Sequence, residues 1–404
     1  MNAPAKAPAR ADFSGVSYAD ALERARALIP VLRERAPRCD EAGELLPEAA
    51  ADLHRTGLAR VLQPKRWGGM ELPFEAIFDI PEIVARGCIS TAWNLSNLLA
   101  HHWMLAFYDE QAQAEVWNAD RDAMIASGIA FPQGRGRAVE GGIELSGLWN
   151  FSSAVTPSTW NMLACVVRDG DKIIDYRMCL VPMAQYEVLD DWQVMGLRGT
   201  GSRSVKCDKV FVPQHRALSM VHHRRGEPFP GWRTNTQAVF RVPFGGLSGH
   251  CLLGCLVGNA QAMFDAITEM VTQRSTSYTT LKMRDLGTVQ ARIGLAGAQI
   301  DAARTMAHAD CAEGQRMAEQ GIEATLELKL KQKRNCAFGA KLATDAVDTL
   351  YALAGANGLY TRGPMERIFR DQHAAASHIS FSIDAQTSAW GFVALGGEST
   401  NAVL

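Results

Sequence analysis

Neither sign of charge dominates this chain. Lys and Arg number 41 against 43 Asp and Glu, a formal charge of −2. That balance supplies no overall electrostatic footprint for nucleic acid or for an anionic membrane, and neither partner is expected. The nine cysteines are odd in number, irregularly spaced and never set as Cys-x-x-Cys. A zinc knuckle and a disulfide framework are therefore not signalled, and no metal is expected. The thiols read as small buried hydrophobes in a reducing cytoplasm. There is no G-x-G-x-x-G, no G-x-x-x-x-G-K-[ST], no H-E-x-x-H and no G-x-S-x-G, and Gly134–Arg135–Gly136 lacks a P-loop context. Nucleotide binding by those routes has no support, and no NAD(P)H site is visible. Residues 1–16 are rich in Ala and Pro without an apolar h-region, so a disordered tail is expected and not a signal peptide. The longest apolar stretch, Phe244 to Phe264, is broken by Gly, Ser, His and Asn. It reads as a buried core helix, with Met263, Phe264 and the nearby Met270 as core, and not as a membrane span.

What is present is ordinary globular composition. The 404 residues are 47% hydrophobic and 21% charged, about 2.7 domains by the usual ratio of length to domain. Three zones succeed one another. Residues 17–122 are helical: Leu22, Ala25, Leu28, Ile29 and Leu32 recur at three- and four-residue spacing behind a candidate cap at Ser17. Leu45, Leu46, Leu53 and Leu58 continue the pattern. Two further helices follow at Phe74–Ala85 and Ser90–Tyr108, after a loop at Pro64 and Gly68–Gly69. Residues 123–233 change period. Ile143, Leu145, Gly147, Trp149 and Phe151 alternate as on one strand face, and short β-like runs follow at Met162–Val167, Tyr176–Val181 and Lys209–Val212. Asp169–Gly170–Asp171 marks a turn between two of them. Residues 234–404 return to long helices near 244–273, 285–319, 323–356 and 365–390, the pattern of a four-helix bundle. Several short strands at close spacing suggest a compact barrel or sandwich, so the chain is expected to be mainly α, with an N-terminal helical domain, a central β-barrel-like domain and a C-terminal four-helix bundle. His222–His223 and Arg224–Arg225 form a basic cluster in a Pro/Gly-rich stretch, readable as a solvated loop or as a lid over a pocket.

This order of helices, β-domain and bundle resembles the acyl-CoA dehydrogenase fold over roughly residues 20 to 395. Trp192–Gln193–Val194–Met195–Gly196–Leu197–Arg198–Gly199–Thr200, then Ser202, looks like that family's Gly-Met-Arg-Gly-Thr-x-Ser segment. Asp208–Lys209–Val210–Phe211–Val212–Pro213 looks like its next strand. Gly355–Ala356–Asn357–Gly358, Arg367 and Arg370–Asp371 resemble its Gly-Gly-x-Gly and Arg-Asp segments. Arg274 resembles the arginine that reaches a neighbouring subunit's flavin. A dehydrogenase needs a carboxylate base for the α-proton of an acyl thioester, commonly a glutamate about eight residues past the Arg-Asp pair. Residues 372–381 contain no acid, and His378 stands almost at that place.

His378, the segment Trp149–Asn150–Phe151–Ser152–Ser153, and His101–His102 after Ser90–Thr91–Ala92–Trp93 resemble a sister group. This is the oxygenase component of two-component flavin-dependent monooxygenases, which includes hydroxyphenylacetate hydroxylases, steroid-phenol hydroxylases and dibenzothiophene monooxygenases. The run Ala85 to Trp93 looks most like the phenol-hydroxylating branch. The resemblance implies O2 chemistry on reduced FMN or FAD, through a C4a-hydroperoxyflavin. It implies that a separate NAD(P)H:flavin reductase supplies that flavin, that the substrate is an aromatic, phenolic small molecule, and that the chain is a homotetramer. It places Ser153 beside flavin N5, where the family usually has Gly next and this chain has Ala154. His101 or His102 would share the phenol proton, and His378 would protonate or orient the peroxide. Adjacent helical residues point about 100° apart, so at most one of His101 and His102 should face the pocket. Trp149, Trp192, Arg274, Gly355, Gly358, Ser153 and His378 are the candidate flavin contacts. Two other readings stay open: an acyl-CoA dehydrogenase or oxidase with FAD and its base elsewhere, and a non-catalytic flavin-binding protein. Substrate choice would lie in the Val221–Trp232 loop and around Phe240.

Overall fold

The computed structural model describes residues 11–221, 227–276 and 280–399. The basic cluster at 222–225 lies outside the described residues, as does most of the expected tail. The part of the tail that is described, residues 11–16, does not hang free. Phe13 is buried under the Arg60 guanidinium, and its N–H donates to the Gly68 carbonyl. Its aromatic bulk outweighs the Ala/Pro character of its neighbours.

Helix α1 (Tyr18–Ala42) begins at the expected cap. The Ser17 hydroxyl accepts the Asp20 N–H while the Asp20 carboxylate returns to the Ser17 N–H. The helical periodicity does not run on unbroken: Gly43 closes α1 in the left-handed region, and α2 (Pro47–Thr56) starts afresh on a proline. Helices α3 (Ala76–Ala85), α4 (Ile89–Leu105) and α5 (Glu110–Trp117) complete the first zone.

Among the described residues eight strands follow: β1 (Ile125–Gly128), β2 (Gly134–Val139), β3 (Gly142–Ser152), β4 (Trp160–Asp169), β5 (Lys172–Pro182), β6 (Glu187–Val188), β7 (Arg203–Pro213) and β8 (Ala217–Ser219). They form one sheet in the order β6-β7-β3-β2-β4-β5-β8, with β1 on β4. The turn signal at Asp169–Gly170–Asp171 joins β4 to β5, Asp169 pairing with Lys172 and Gly170 taking a φ of 57°. The sheet has its own apolar core, centred on Leu145, Trp149, Leu163, Cys165, Cys179 and Val205.

The remaining helices are α6 (Phe244–Leu247), α7 (His250–Gln273), α8 (Gly287–Glu319), α9 (Leu326–Ala354), α10 (Met365–Ala376) and α11 (Ile383–Ala394). The segment Phe244–Gln273, α6 and α7 together, is long and apolar enough to cross a membrane by length and composition alone, yet every residue from His250 to Ala260 is buried inside the protein. Gly254 and Gly258 let α3 lie against it. A Cβ there would meet the Phe78 carbonyl oxygen at 2.5 Å and the Glu82 carbonyl oxygen at 2.0 Å. Through this contact the first zone and the bundle share one continuous core. All nine cysteines are free and buried. The fourth expected helix, 365–390, is in fact two. The chain leaves α10 at Ser377, makes a 3-10 turn over Ile379–Phe381, and resumes in α11. His378 stands at that break and not within a helix.

Candidate functional site

Trp93 brings two distant candidates together. It lies in the first turns of α4, buried, and its indole Nε1 donates to the Ser153 Oγ at 3.2 Å. Its ring meets the His378 imidazole edge-on, centroids 5.8 Å apart and planes at 73°. Ser153 follows β3 through a strained stretch. Phe151 has φ 65° and Ala154 φ 55°, and the ladder between β3 and β7 slips between Trp149 and Ser152. A glycine would occupy the Ala154 conformation at lower cost. Ala154 is held there by its N–H to the Thr200 carbonyl. The Ser153 hydroxyl also lies 2.8 Å from that of Ser202, which lies 2.6 Å from that of Thr200.

His378 caps the 3-10 turn, its Nδ1 accepting the Ser380 N–H at 3.2 Å. The ring proton therefore sits on Nε2, for which there is no hydrogen-bond partner among the described residues. Burial pushes its pKa down to about 4, so the ring is neutral at pH 7. Phe381 closes the other side of the ring.

His101 and His102 both lie buried in α4 and both are held neutral by burial, at about 4 and about 3. His101 Nδ1 faces the Ile125 carbonyl, which can only accept. The proton is on Nδ1, and Nε2 keeps a lone pair. His102 Nδ1 instead accepts from Trp117 Nε1 at 3.1 Å, and its ring stacks on that indole. Around α4, His101 is rotated about 80° from Trp93 and His102 about 180°, the opposite face. The geometry thus aims His102 into the core of the first zone.

The segment 192–200 is clamped by α10. The Asp371 Oδ1 accepts the Leu197 N–H at 2.7 Å, and Arg370 donates to the Met195 carbonyl at 2.6 Å. Arg370 also pairs with Asp40 and Glu366. Burial pushes the Asp371 carboxyl up to about 7, the Leu197 N–H opposing that rise. Trp192 is half-buried, its indole donating to the Arg198 carbonyl and its ring meeting Phe151 edge-on.

Other expected flavin contacts sit apart from this cluster. Trp149 is a correction: its side chain points into the sheet's core. Its Nε1 donates to the Ala164 carbonyl at 2.7 Å, and Gly128, Gly134 and Gly147 make room for the ring. Arg274 ends α7 and donates to the Ala354 carbonyl at 3.1 Å. The Asn357 amide oxygen, turned toward it, accepts from both its terminal nitrogens. Arg274 and the Gly355–Gly358 segment therefore meet within one chain. Gly355 has a positive φ in open space, while Gly358 packs under Tyr351. Trp93, Thr200 and Ser202 were not singled out by the sequence as site residues. A usable signal was the eight-residue spacing of Trp93 and His101 on one helix.

A reduced flavin offers a flat apolar ring with a polar edge, and the residues present fit one. Ser153 and His378 hold hydrogen-bonding capacity not spent within the protein. Phe151, edge-on to Trp192, and Met195 leave 68% and 63% of their surfaces exposed, apolar area open to a flat ring.

The model of the acyl-CoA dehydrogenase C-terminal domain matches residues 251–383. The flavin-dependent monooxygenase oxygenase subunit HsaA of Rhodococcus jostii is 33% identical over 359 residues, covering 88% of this chain and 93% of the relative. The oxygenase component of the FADH(2)-dependent resorcinol hydroxylase of a Rhizobium species is 31% identical, covering 90% of each chain. The crystal structure of 3-HSA hydroxylase from Rhodococcus sp. RHA1 superposes with a TM-score of 0.90 at 31% identity, over 95% of this chain and 99% of that one.

Proposed function

The chain belongs to the oxygenase subunits of flavin-dependent monooxygenases, and on that premise we propose that it hydroxylates a phenolic small molecule. The reaction consumes O2 and reduced FMN or FAD and yields the hydroxylated phenol, water and oxidised flavin. A separate NAD(P)H:flavin reductase restores the reduced flavin. Relatives named for resorcinol and p-hydroxyphenylacetate support a phenol as substrate. One observation carries the reading: the buried Trp93 ties the buried Ser153 and the half-buried His378 into one cluster.

Bound reduced flavin supplies the electrons that activate O2. Ser153 would hold the flavin at its N5 edge through the lone pair its own contacts leave free. His378, neutral with its proton on Nε2, donates a hydrogen bond to oxygen. His101, with a lone pair on Nε2, accepts from the phenol hydroxyl and enriches the ring in electron density. Trp93 and Phe381 keep water from the imidazole of His378. His102 serves the fold. Arg274 orders the Gly355–Gly358 segment, and in a homotetramer that edge would approach a neighbouring flavin. Helix α11 supports such an assembly, because none of its residues is buried and the apolar Phe392, like Leu395 just past its end, is exposed. The free thiols suit the cytoplasm.

The test mixes protein and reduced flavin with isotopically labelled O2 and a panel of phenols. One labelled oxygen in the product for each flavin oxidised is expected. Flavin oxidation giving only peroxide with every phenol, for both FMN and FAD, would overturn the reading.

A further inference from the structure

We propose that Ser202 is a positioning residue that fixes the polarity of Ser153, and that this polarity makes the site select reduced over oxidised flavin. The inference rests on the proposed flavin site and deepens it. Ser153, Ser202 and Thr200 are each more than nine-tenths buried, and each hydroxyl has one proton to give. The Thr200 Oγ1 lies 2.8 Å from the Leu197 carbonyl oxygen, which has no proton, so Thr200 must donate there. Its 2.6 Å contact with Ser202 can then be filled only by the Ser202 proton. The 2.8 Å contact between Ser202 and Ser153 can in turn be filled only by the proton of Ser153. Any other order leaves two oxygens facing each other at hydrogen-bond distance with no proton between them.

The anchor of this chain is rigid. Leu197 stands at φ 54°, held by its N–H to the buried Asp371 carboxyl and by its carbonyl to both the N–H and the hydroxyl of Thr200. At the far end, Ser153 has spent its proton on Ser202 and one lone pair on Trp93 Nε1. What it has left is a second lone pair, so toward a ligand it is an acceptor only.

That distinction separates the two redox states of a flavin. Reduced flavin carries a proton on N5 and donates. Oxidised flavin presents a bare nitrogen lone pair, which an acceptor repels. The order of three buried hydroxyls thus becomes a preference for the form that reacts with O2, and it helps eject the form that must leave.

Equilibrium binding tests this without turnover. Reduced flavin is titrated anaerobically and oxidised flavin aerobically, with FMN and with FAD, into the parent protein, Ser202→Ala, Ser202→Thr and Thr200→Val. Removing the Ser202 hydroxyl frees the Ser153 proton to meet the bare N5. Removing the Thr200 hydroxyl lets Ser202 reverse and donate to Ser153, with the same result. The ratio of oxidised to reduced dissociation constants should fall about 3- to 10-fold in Ser202→Ala and Thr200→Val, the worth of one hydrogen bond gained. Ser202→Thr should keep the parent ratio. A parent ratio in both Ser202→Ala and Thr200→Val would overturn the proposal, as would an equal loss in Ser202→Thr. A parent protein that binds neither flavin would instead refute the flavin site itself.

Discussion

Helix α4 and the break between α10 and α11 both hold neutral imidazoles, fully buried in α4 and half-buried at the break, and they set the ring proton in opposite ways. In α4 the neighbour of His101 Nδ1 is a backbone carbonyl, so the proton stays on Nδ1 and the outer nitrogen is a base. At the break the neighbour of His378 Nδ1 is a backbone N–H, so the outer nitrogen carries the proton and is a donor. Burial makes all these rings neutral, but it does not choose between the tautomers. That choice falls to one backbone group beside each ring. His102 sharpens the contrast: it shares the tautomer of His378, yet its Nδ1 is spent on Trp117 and its face of α4 turns away from Trp93.

The largest effect should come from removing the donor. His378→Ala should leave the fold intact and cut product formation by roughly 10²–10⁴, the usual worth of a positioned acid or base. Reduced flavin should still be consumed, its electrons ending as peroxide, measured as peroxide released per flavin. His378→Asn keeps a hydrogen-bond donor and should recover part of the loss. Hydroxylation at the parent rate by His378→Ala would erase the distinction between the break and the helix.

The two α4 histidines should separate by kind of effect. His101→Asn should lower the hydroxylation rate by about 10²-fold, the lower end for such a group, with little change in unfolding midpoint. His102→Leu should leave the rate of the folded enzyme near the parent value. It should cost about 1–3 kcal/mol in urea unfolding, because the buried Trp117 N–H loses its acceptor. Equal rate losses in the two variants would mean that the opposite tautomers and faces do not decide function.

Periodicity makes most of the fold legible in the sequence. Ser17 with Asp20, the alternation in β3 and the Gly170 turn each act within a few residues, where local spacing is informative. The break at His378 was not legible. Ser377–Ser382 holds no Gly or Pro, and the turn is fixed by the histidine capping it and by Phe381 burying itself in the core. Trp149 was misplaced for a related reason. The strand's alternation groups Trp149 with Phe151, but the slipped register and left-handed Phe151 send one ring inward and the other out. The link from Trp93 to Ser153 spans 60 residues and two elements, beyond any local pattern.

Asp371 offers the most discriminating test, because burial acts on it with the opposite sign. The histidines have folded pKa values near 3 to 4, below the ordinary 6.5. Between those values the unfolded chain binds protons that the folded chain refuses, so their contribution to stability is lost as pH falls from about 6.5 toward 4. Asp371 is pushed by burial from an ordinary 3.8 to about 7. Over nearly the same window the folded chain now holds the extra proton, so this contribution is lost as pH rises from about 4 to 7 and is level above that. The two slopes oppose each other and flatten the parent's stability curve. Asp371→Asn keeps an acceptor for the Leu197 N–H but cannot titrate. Relative to the parent, it should gain roughly 2–4 kcal/mol between pH 4 and pH 8, from about 1.4 kcal/mol for each pKa unit. Its own urea midpoint should then fall more steeply on acidification, the histidines acting unopposed. Parallel midpoint curves for the parent and Asp371→Asn across that range would mean that the carboxyl clamping Leu197 is already ionised well below neutrality, held so by the Leu197 N–H and Arg370.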